Sequence, residues 1–122
     1  MSATILIVDD EEQIRSLLTE IVTRLGHKPL LAKNGLEALD KLRKGKKADL
    51  IVSDIKMPKM DGFELARRIS AGDNPVPVLL ISGYGDEEHT LDDLPPGAIF
   101  LPKPFKMDAL ESQINQLLDG HR

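Results

Sequence analysis

The chain has 122 residues, of which 41% are hydrophobic and 30% charged, and a net charge of −4 at pH 7. This length fits one domain with one core, and the absence of cysteine excludes disulfides, thiolate nucleophiles and zinc–thiolate sites. The negative charge, with three Phe, one Tyr and no Trp, argues against direct binding of nucleic acid.

The chain shows no signal for a membrane. No apolar stretch approaches the roughly 20 residues of a membrane helix. Residues 1–3 lead directly into the first predicted strand, so we expect no signal peptide and a cytoplasmic location.

The first third of the chain alternates strand and helix patterns. Thr4–Val8 is rich in β-branched residues and predicts a buried strand. Lys28–Ala32 predicts a weaker strand, and its Pro29 belongs at an edge or a strand start because proline has no N–H for a ladder. Between them a helix is predicted to end at Gly26, with apolar residues at helical spacing: Ile14, Leu17, Leu18, Ile21, Val22 and Leu25.

The middle of the chain continues the alternation. A second helix is predicted over about residues 36–43, with Leu36 among its apolar positions, and a third strand over residues 50–53. A third helix begins near Asp61. Residues 76–81 are almost wholly apolar, which predicts a central strand.

The last third holds two more predicted helices and a strand. A short helix over about residues 86–94 is ended by Pro95 and Pro96, and a fifth strand follows over residues 98–101. The final helix carries apolar residues on one face: Met107, Leu110, Ile114, Leu117 and Leu118.

Five successive strand–helix units predict an α/β fold: a doubly wound, five-stranded parallel sheet with helices on both sides. Right-handed crossovers leave few topologies, and the common five-stranded one has the strand order 2-1-3-4-5. This order comes from the general rule rather than from residue spacing. Residues 1–122 would then form a single domain whose ligands bind beyond the carboxyl ends of strands 1 and 3.

Acidic residues follow these two strands. Asp9 and Asp10 come directly after strand 1, and Asp54 after strand 3. Because parallel strands end at one edge of the sheet, we expect the three carboxylates to meet, where they repel one another and favour a hard cation such as Mg²⁺. An acid after a strand can instead cap the next helix, which is an open alternative for Asp9 and Asp10 and the favoured role for Asp61. Capping explains Asp54 poorly, because Ile55-Lys56-Met57-Pro58 rather than a helix follows it.

Two further polar residues are predicted at the same edge. Strand 4 ends at Ser82, and Lys103 follows strand 5 between two prolines. A hydroxyl and an ammonium beside carboxylates suit a phosphoryl group bound together with Mg²⁺. A carboxylate can itself take the phosphoryl group, and Asp54 is the best candidate because it stands alone at its strand end.

Four segments together resemble the response-regulator receiver domain of two-component signalling, in the right order and across essentially the whole chain. They are IVDDE at residues 7–11, SDIKMPKMDG at 53–62, ISGYGD at 81–86 and KPF at 103–105. The resemblance implies a flavodoxin-like fold and a phosphorylation-driven switch. It implies that Asp54 accepts phosphate, and that Asp9, Asp10, Asp54 and the backbone carbonyl of Lys56 bind Mg²⁺.

The resemblance also implies roles for three residues in or just after strands 4 and 5. Ser82 would be the switch hydroxyl, Lys103 would pair with the phosphoryl group, and Phe100 would be the aromatic residue that changes rotamer. The implied partners are a sensor histidine kinase or a histidine phosphotransfer protein, a downstream protein target and, after phosphorylation, a second receiver in a dimer.

Two other functions compete with this interpretation. The chain could be a receiver-like scaffold that binds a partner without being phosphorylated, although the full set of site residues argues against it. It could also be a Mg²⁺-dependent phosphohydrolase. That activity is disfavoured because the sequence offers no evident general acid beside Asp54 and no segment to exclude water, so we expect a signalling domain rather than an enzyme.

Overall fold

The computed structural model describes the backbone of residues 2–82, 94–102 and 105–121 and, except at Ser82, Gly120 and His121, their side chains. The helix predicted over residues 86–94 lies outside these ranges except for Leu94. No helix in the described ranges is both long enough and apolar enough to cross a bilayer. The described elements, in chain order, are β1 (Thr4–Val8), α1 (Glu12–Arg24), β2 (Lys28–Ala32), α2 (Gly35–Arg43), β3 (Leu50–Asp54), α3 (Gly62–Ser70), β4 (Val78–Ser82), β5 (Ala98–Pro102) and α4 (Met107–His121).

The five strands form one parallel sheet in the order β2-β1-β3-β4-β5. This confirms the predicted order and the interior position of β4. The predicted start of β4 was two residues early. Pro77 has no N–H to donate to a neighbour, and the strand begins only after it, at Val78.

Each face of the sheet carries its own core, as a doubly wound fold requires. Successive strand residues point to opposite faces, so Ile5 and Ile7 of β1 lie in one core while Leu6 and Val8 lie in the other. The first core includes buried residues of α1 and α4, and the second includes buried residues of α2 and α3. Strands buried on both faces explain the continuous apolar runs in the sequence.

Three apolar helix positions are more exposed than the predicted faces imply. Leu17 is 42% exposed because the contact between α1 and the sheet takes up only Leu18, Ile21 and Val22 fully. Leu36 and Met107 lie in the first turns of α2 and α4, beside the carboxyl edge, where the strands have ended and no sheet remains to cover them.

Helix ends follow the sequence signals, with one exception. Gly26 adopts φ +90° after α1, and the N–H of His27 donates to the carbonyl of Val22, which together end the helix as predicted. Asp61 caps α3, its Oδ1 accepting the N–H of Glu64 at 2.8 Å. The N-cap of α1, however, is Glu11, whose side chain makes no capping bond, so Asp10 does not cap this helix.

Strand β2 lies at the edge of the sheet, as Pro29 predicted. At its two ends, the N–H of Lys28 donates to Ala3 and the carbonyl of Ala32 accepts from Asp9. The Nζ of Lys41, on α2, donates to the carbonyl of Leu31.

Candidate functional site

The sheet brings the ends of β1 and β3 side by side. The two strands are parallel neighbours, and their register pairs Val8 with Ser53. The next residue on each strand is an aspartate, so Asp9 and Asp54 leave the sheet together at its carboxyl edge, followed on the first strand by Asp10. This is the crevice where the order of the strands reverses.

Asp9, Asp10 and Asp54 form a cluster of carboxylates. Each offers an oxygen, and these oxygens all lie within 4.8 Å of one another, an arrangement that could hold a metal ion. Asp9 is 1% exposed and Asp54 9% exposed, whereas Asp10 is exposed. Two unit charges this far apart repel by about 3 kcal/mol at an effective dielectric constant of about 20. A cation bound among the three would offset that repulsion.

Asp9 is held in place through its backbone and its side chain. Its N–H donates to the carbonyl of Ala32 at 3.2 Å, and its Oδ1 accepts the N–H of Glu11 at 2.8 Å. Its own carbonyl accepts a hydrogen bond from Nη1 of Arg15 at 2.6 Å. These contacts tie the end of β1 to β2 and to the first turns of α1.

Asp54 is held at the end of β3 by the loop that follows. Its Oδ1 accepts the N–H of Ile55 at 2.9 Å, and its carbonyl accepts from the hydroxyl of Ser53 at 2.8 Å. The loop then folds back, because the N–H of Gly62 donates to the carbonyl of Ile55 at 2.8 Å. A tight turn supports this path: the N–H of Met60 donates to the carbonyl of Pro58, and Lys59 between them has φ +72°.

Gly62 packs directly behind Asp54. A Cβ at this position would lie 2.4 Å from the carbonyl oxygen of Asp54 and 3.0 Å from the Cα of Ile55. Only glycine therefore allows α3 to start so close to the end of β3. The sequence pattern predicted the cap at Asp61 but not this contact. The one sequence signal for it is that a glycine directly follows the cap residue Asp61.

The structure describes some of the other predicted site residues fully and others only in part. Ser82 ends β4, the strand beside β3, but its side chain lies outside the described atoms, and Lys103 lies outside the described residues. Lys56 lies in the loop two residues beyond Asp54, with its side chain exposed. Phe100 of β5 is half-buried, and its ring packs against that of Phe63 on α3.

The model of one protein family covers most of this chain. The response regulator receiver domain model matches residues 5–115.

Curated proteins match over nearly the whole chain. It is 35% identical over 119 residues to sporulation initiation phosphotransferase F of Bacillus subtilis (strain 168), which covers 97% of this chain and 95% of that protein. It is 35% identical over 115 residues to the transcriptional regulatory protein ZraR of Klebsiella oxytoca, and this alignment covers 93% of this chain and 26% of ZraR. The chain thus spans almost all of the first relative but about a quarter of the second.

Solved structures match at a similar level. The signal receiver domain of a signal transduction histidine kinase from Syntrophus aciditrophicus aligns with a TM-score of 0.87 and 34% identity, covering 97% of this chain and 91% of that one. NtrX from Brucella abortus aligns with a TM-score of 0.86 and 33% identity, and this alignment covers 99% of this chain and 28% of the NtrX chain.

Proposed function

Because this chain belongs to the family of response-regulator receiver domains, we propose that Asp54 is the residue on which it is phosphorylated. The observation that supports this role is the carboxylate cluster, in which Asp54 lies within 4.8 Å of both Asp9 and Asp10 at the end of β3. Asp9 is almost fully buried and Asp10 follows it directly, so this pair is suited to a cation. Asp54 is the remaining carboxylate and the one suited to a phosphoryl group.

The phosphoryl donor is a phosphohistidine on a sensor histidine kinase or a histidine phosphotransfer protein. An oxygen of the Asp54 carboxylate attacks phosphorus, the P–N bond breaks, and the imidazole nitrogen keeps the electron pair and takes up a proton. The product is an aspartyl phosphate, an acyl phosphate anhydride. Attack of water on phosphorus later breaks its bond to Asp54, releasing inorganic phosphate and restoring the carboxylate.

The acidic cluster suits Mg²⁺, since this hard cation prefers oxygen ligands. We assign its protein ligands to Asp9, Asp10, Asp54 and the backbone carbonyl of Lys56. When bound, the cation supplies positive charge that offsets both the carboxylates and the transferred group. The hydrogen bond from Ile55 to Oδ1 of Asp54 orients the carboxylate for this chemistry.

The signal leaves the site through β4 and β5. Ser82 and Lys103 donate to the phosphoryl oxygens, because the roughly −1.5 to −2 charges of the group require ordered donors. Movement of Ser82 toward the phosphoryl group lets Phe100 change rotamer, which alters the surface offered to a downstream protein target or a second receiver. The chain then acts as a switch, and its only turnover is loss of its own phosphate. Its cytoplasmic location stays a prediction, which fractionation of producing cells would test.

Phosphorylation by a small donor tests this proposal. The protein is incubated with Mg²⁺ and acetyl phosphate, and its intact mass is measured. We expect the wild type to gain one phosphoryl group, and Asp54→Asn to gain none. Asp40→Asn is the matched control, because Asp40 lies on the exposed surface of α2 paired with Lys44, and it should be phosphorylated like the wild type.

Two results would contradict the proposal. A wild type that gains no mass at saturating Mg²⁺ would point to a scaffold that works without phosphorylation. An Asp54→Asn variant that gains mass as readily as the wild type would place the acceptor on another residue.

A further inference from the structure

Arg15 makes a contact with the acidic cluster that none of the roles above includes. It lies in the second turn of α1 and is half-buried. Its Nη1 donates to the backbone carbonyl of Asp9 at 2.6 Å, reaching back six residues to the end of β1. Within the described part of the chain, Arg15 forms no ion pair, so its contact with the cluster is a hydrogen bond to a neutral carbonyl.

The carbonyl that Arg15 binds belongs to the peptide unit joining Asp9 to Asp10. A peptide unit is planar, so fixing its oxygen restricts ψ of Asp9 and φ of Asp10 together. The direction of the Asp10 side chain depends on that φ angle. The Asp9 side chain is already fixed by its bond to the N–H of Glu11. The guanidinium therefore holds the Asp9–Asp10 peptide unit, whose orientation determines how the two carboxylates lie relative to each other.

We propose that Arg15 is a positioning residue for the divalent-cation site: it holds the Asp9–Asp10 peptide so that both carboxylates face the cation before it arrives. The inference rests on the proposed Mg²⁺ site. Groups that orient metal ligands without touching the metal typically change metal affinity by about 10- to 100-fold when they are removed.

The positive charge of Arg15 should affect Mg²⁺ affinity in the opposite direction from its positioning role, so one measurement can separate the two. A guanidinium beside three carboxylates neutralises part of their charge and repels a divalent cation. If charge dominated, removing Arg15 would tighten Mg²⁺ binding. If positioning dominates, removing it weakens binding despite the lost repulsion. The two roles therefore predict opposite signs for one measurement.

The experiment is Mg²⁺ titration calorimetry on the wild type, Arg15→Met and Arg15→Lys. We expect Arg15→Met to bind Mg²⁺ about 10-fold more weakly. Arg15→Lys keeps the charge and a donor group, and its Mg²⁺ affinity should lie between those of the wild type and Arg15→Met. Arg24→Met is the matched control, because Arg24 lies exposed in the last turn of the same helix, and its affinity should equal that of the wild type.

Phosphorylation kinetics with acetyl phosphate give a second readout. If Arg15 positions the ligands of the cation, Arg15→Met should need a higher Mg²⁺ concentration to reach half of its maximal phosphorylation rate. Its rate at saturating Mg²⁺ should then be close to that of the wild type. A general structural defect would instead lower the saturated rate. Should Arg15→Met fail to fold, Arg15→Leu offers the same comparison, because it too is neutral and has no donor for the carbonyl of Asp9.

Equal or tighter Mg²⁺ binding by the folded neutral variant would overturn the role of Arg15 and leave the proposed function intact. A wild type that binds no Mg²⁺ would overturn both.

Discussion

The ring of Phe100 on β5 packs against the ring of Phe63 on α3, with centroids 5.4 Å apart and planes inclined by 58°. Phe63 is 2% exposed and belongs to the core between the sheet and helices α2 and α3. The residue that we assign to the switch is therefore in direct contact with the helix that begins immediately behind Asp54.

This contact predicts energetic coupling between the two rings. Phe63→Leu and Phe100→Leu should each destabilise the protein, and the double variant should lose less than the sum, by about 0.5–1.5 kcal/mol. Urea denaturation of the four proteins measures this coupling. As a control, Phe63→Leu is combined with Ile114→Val. Because Ile114 lies in the core on the opposite face of the sheet, the two losses of stability should be additive. Additive losses for the two aromatic residues would show that the rings do not stabilise each other.

Removing one acid should stabilise the metal-free protein. Asp10→Asn relieves repulsion with Asp9 and Asp54, and because Asp10 is exposed and screened we expect a gain of about 1 kcal/mol. The same substitution should remove most of the stabilisation by Mg²⁺, which reaches about 2.7 kcal/mol at 100 times the dissociation constant for the wild type. Urea denaturation with and without MgCl₂ measures both effects. A full magnesium response in Asp10→Asn would exclude Asp10 as a ligand.

The close packing of Gly62 predicts a local defect. In Gly62→Ala the new Cβ would overlap the carbonyl of Asp54, so the end of β3 must shift, at a cost of about 1–3 kcal/mol. Phosphorylation of Asp54 should slow at the same time. The control is Gly72→Ala, since a Cβ there approaches only the carbonyls of Arg68 and Ile69, each at 3.5 Å. Thermal denaturation and the phosphorylation rate together test this. Equal effects of the two substitutions would argue against a special role for Gly62.

The two roles considered for Asp61 can be separated. Asp61→Ala removes the cap of α3 and should cost about 1 kcal/mol of stability, while Asp61→Asn keeps an oxygen that can accept from Glu64. Neither variant should change the Mg²⁺ affinity measured by calorimetry, because Asp61 serves the helix rather than the cation. A clear loss of affinity in Asp61→Asn would assign it to the metal site instead.

The sequence predicted the features that depend on local patterns or on the general topology of doubly wound sheets. The apolar runs gave the strands to within two residues, Gly26 and Asp61 marked helix ends, and the parallel topology brought Asp9, Asp10 and Asp54 together. The strands and helix ends follow from periodicity and backbone conformation, and the meeting of the three acids follows from the general strand order of doubly wound sheets, which makes β1 and β3 neighbours.

The contacts that the sequence did not predict join parts of the chain through side-chain reach or tight packing. Arg15 binds a carbonyl on the far side of a loop, Gly62 is required by a backbone eight residues earlier, and Phe63 meets Phe100 from another element. None has a periodic signature. The exposure of Leu36 was missed for a related reason, since helical spacing does not reveal where the sheet beneath a helix ends.

The outer edge of β2 is partly blocked to further strands. The N–H of Lys28 and the carbonyl of Ala32 point toward the inner side of the strand, so the alternation of a parallel ladder directs Pro29 and Leu31 outward. Pro29 has no N–H to offer, and the carbonyl of Leu31 is already bonded to Lys41. A second copy of the chain would therefore find no donor at Pro29 and an occupied acceptor at Leu31, which weakens edge-to-edge pairing at this border.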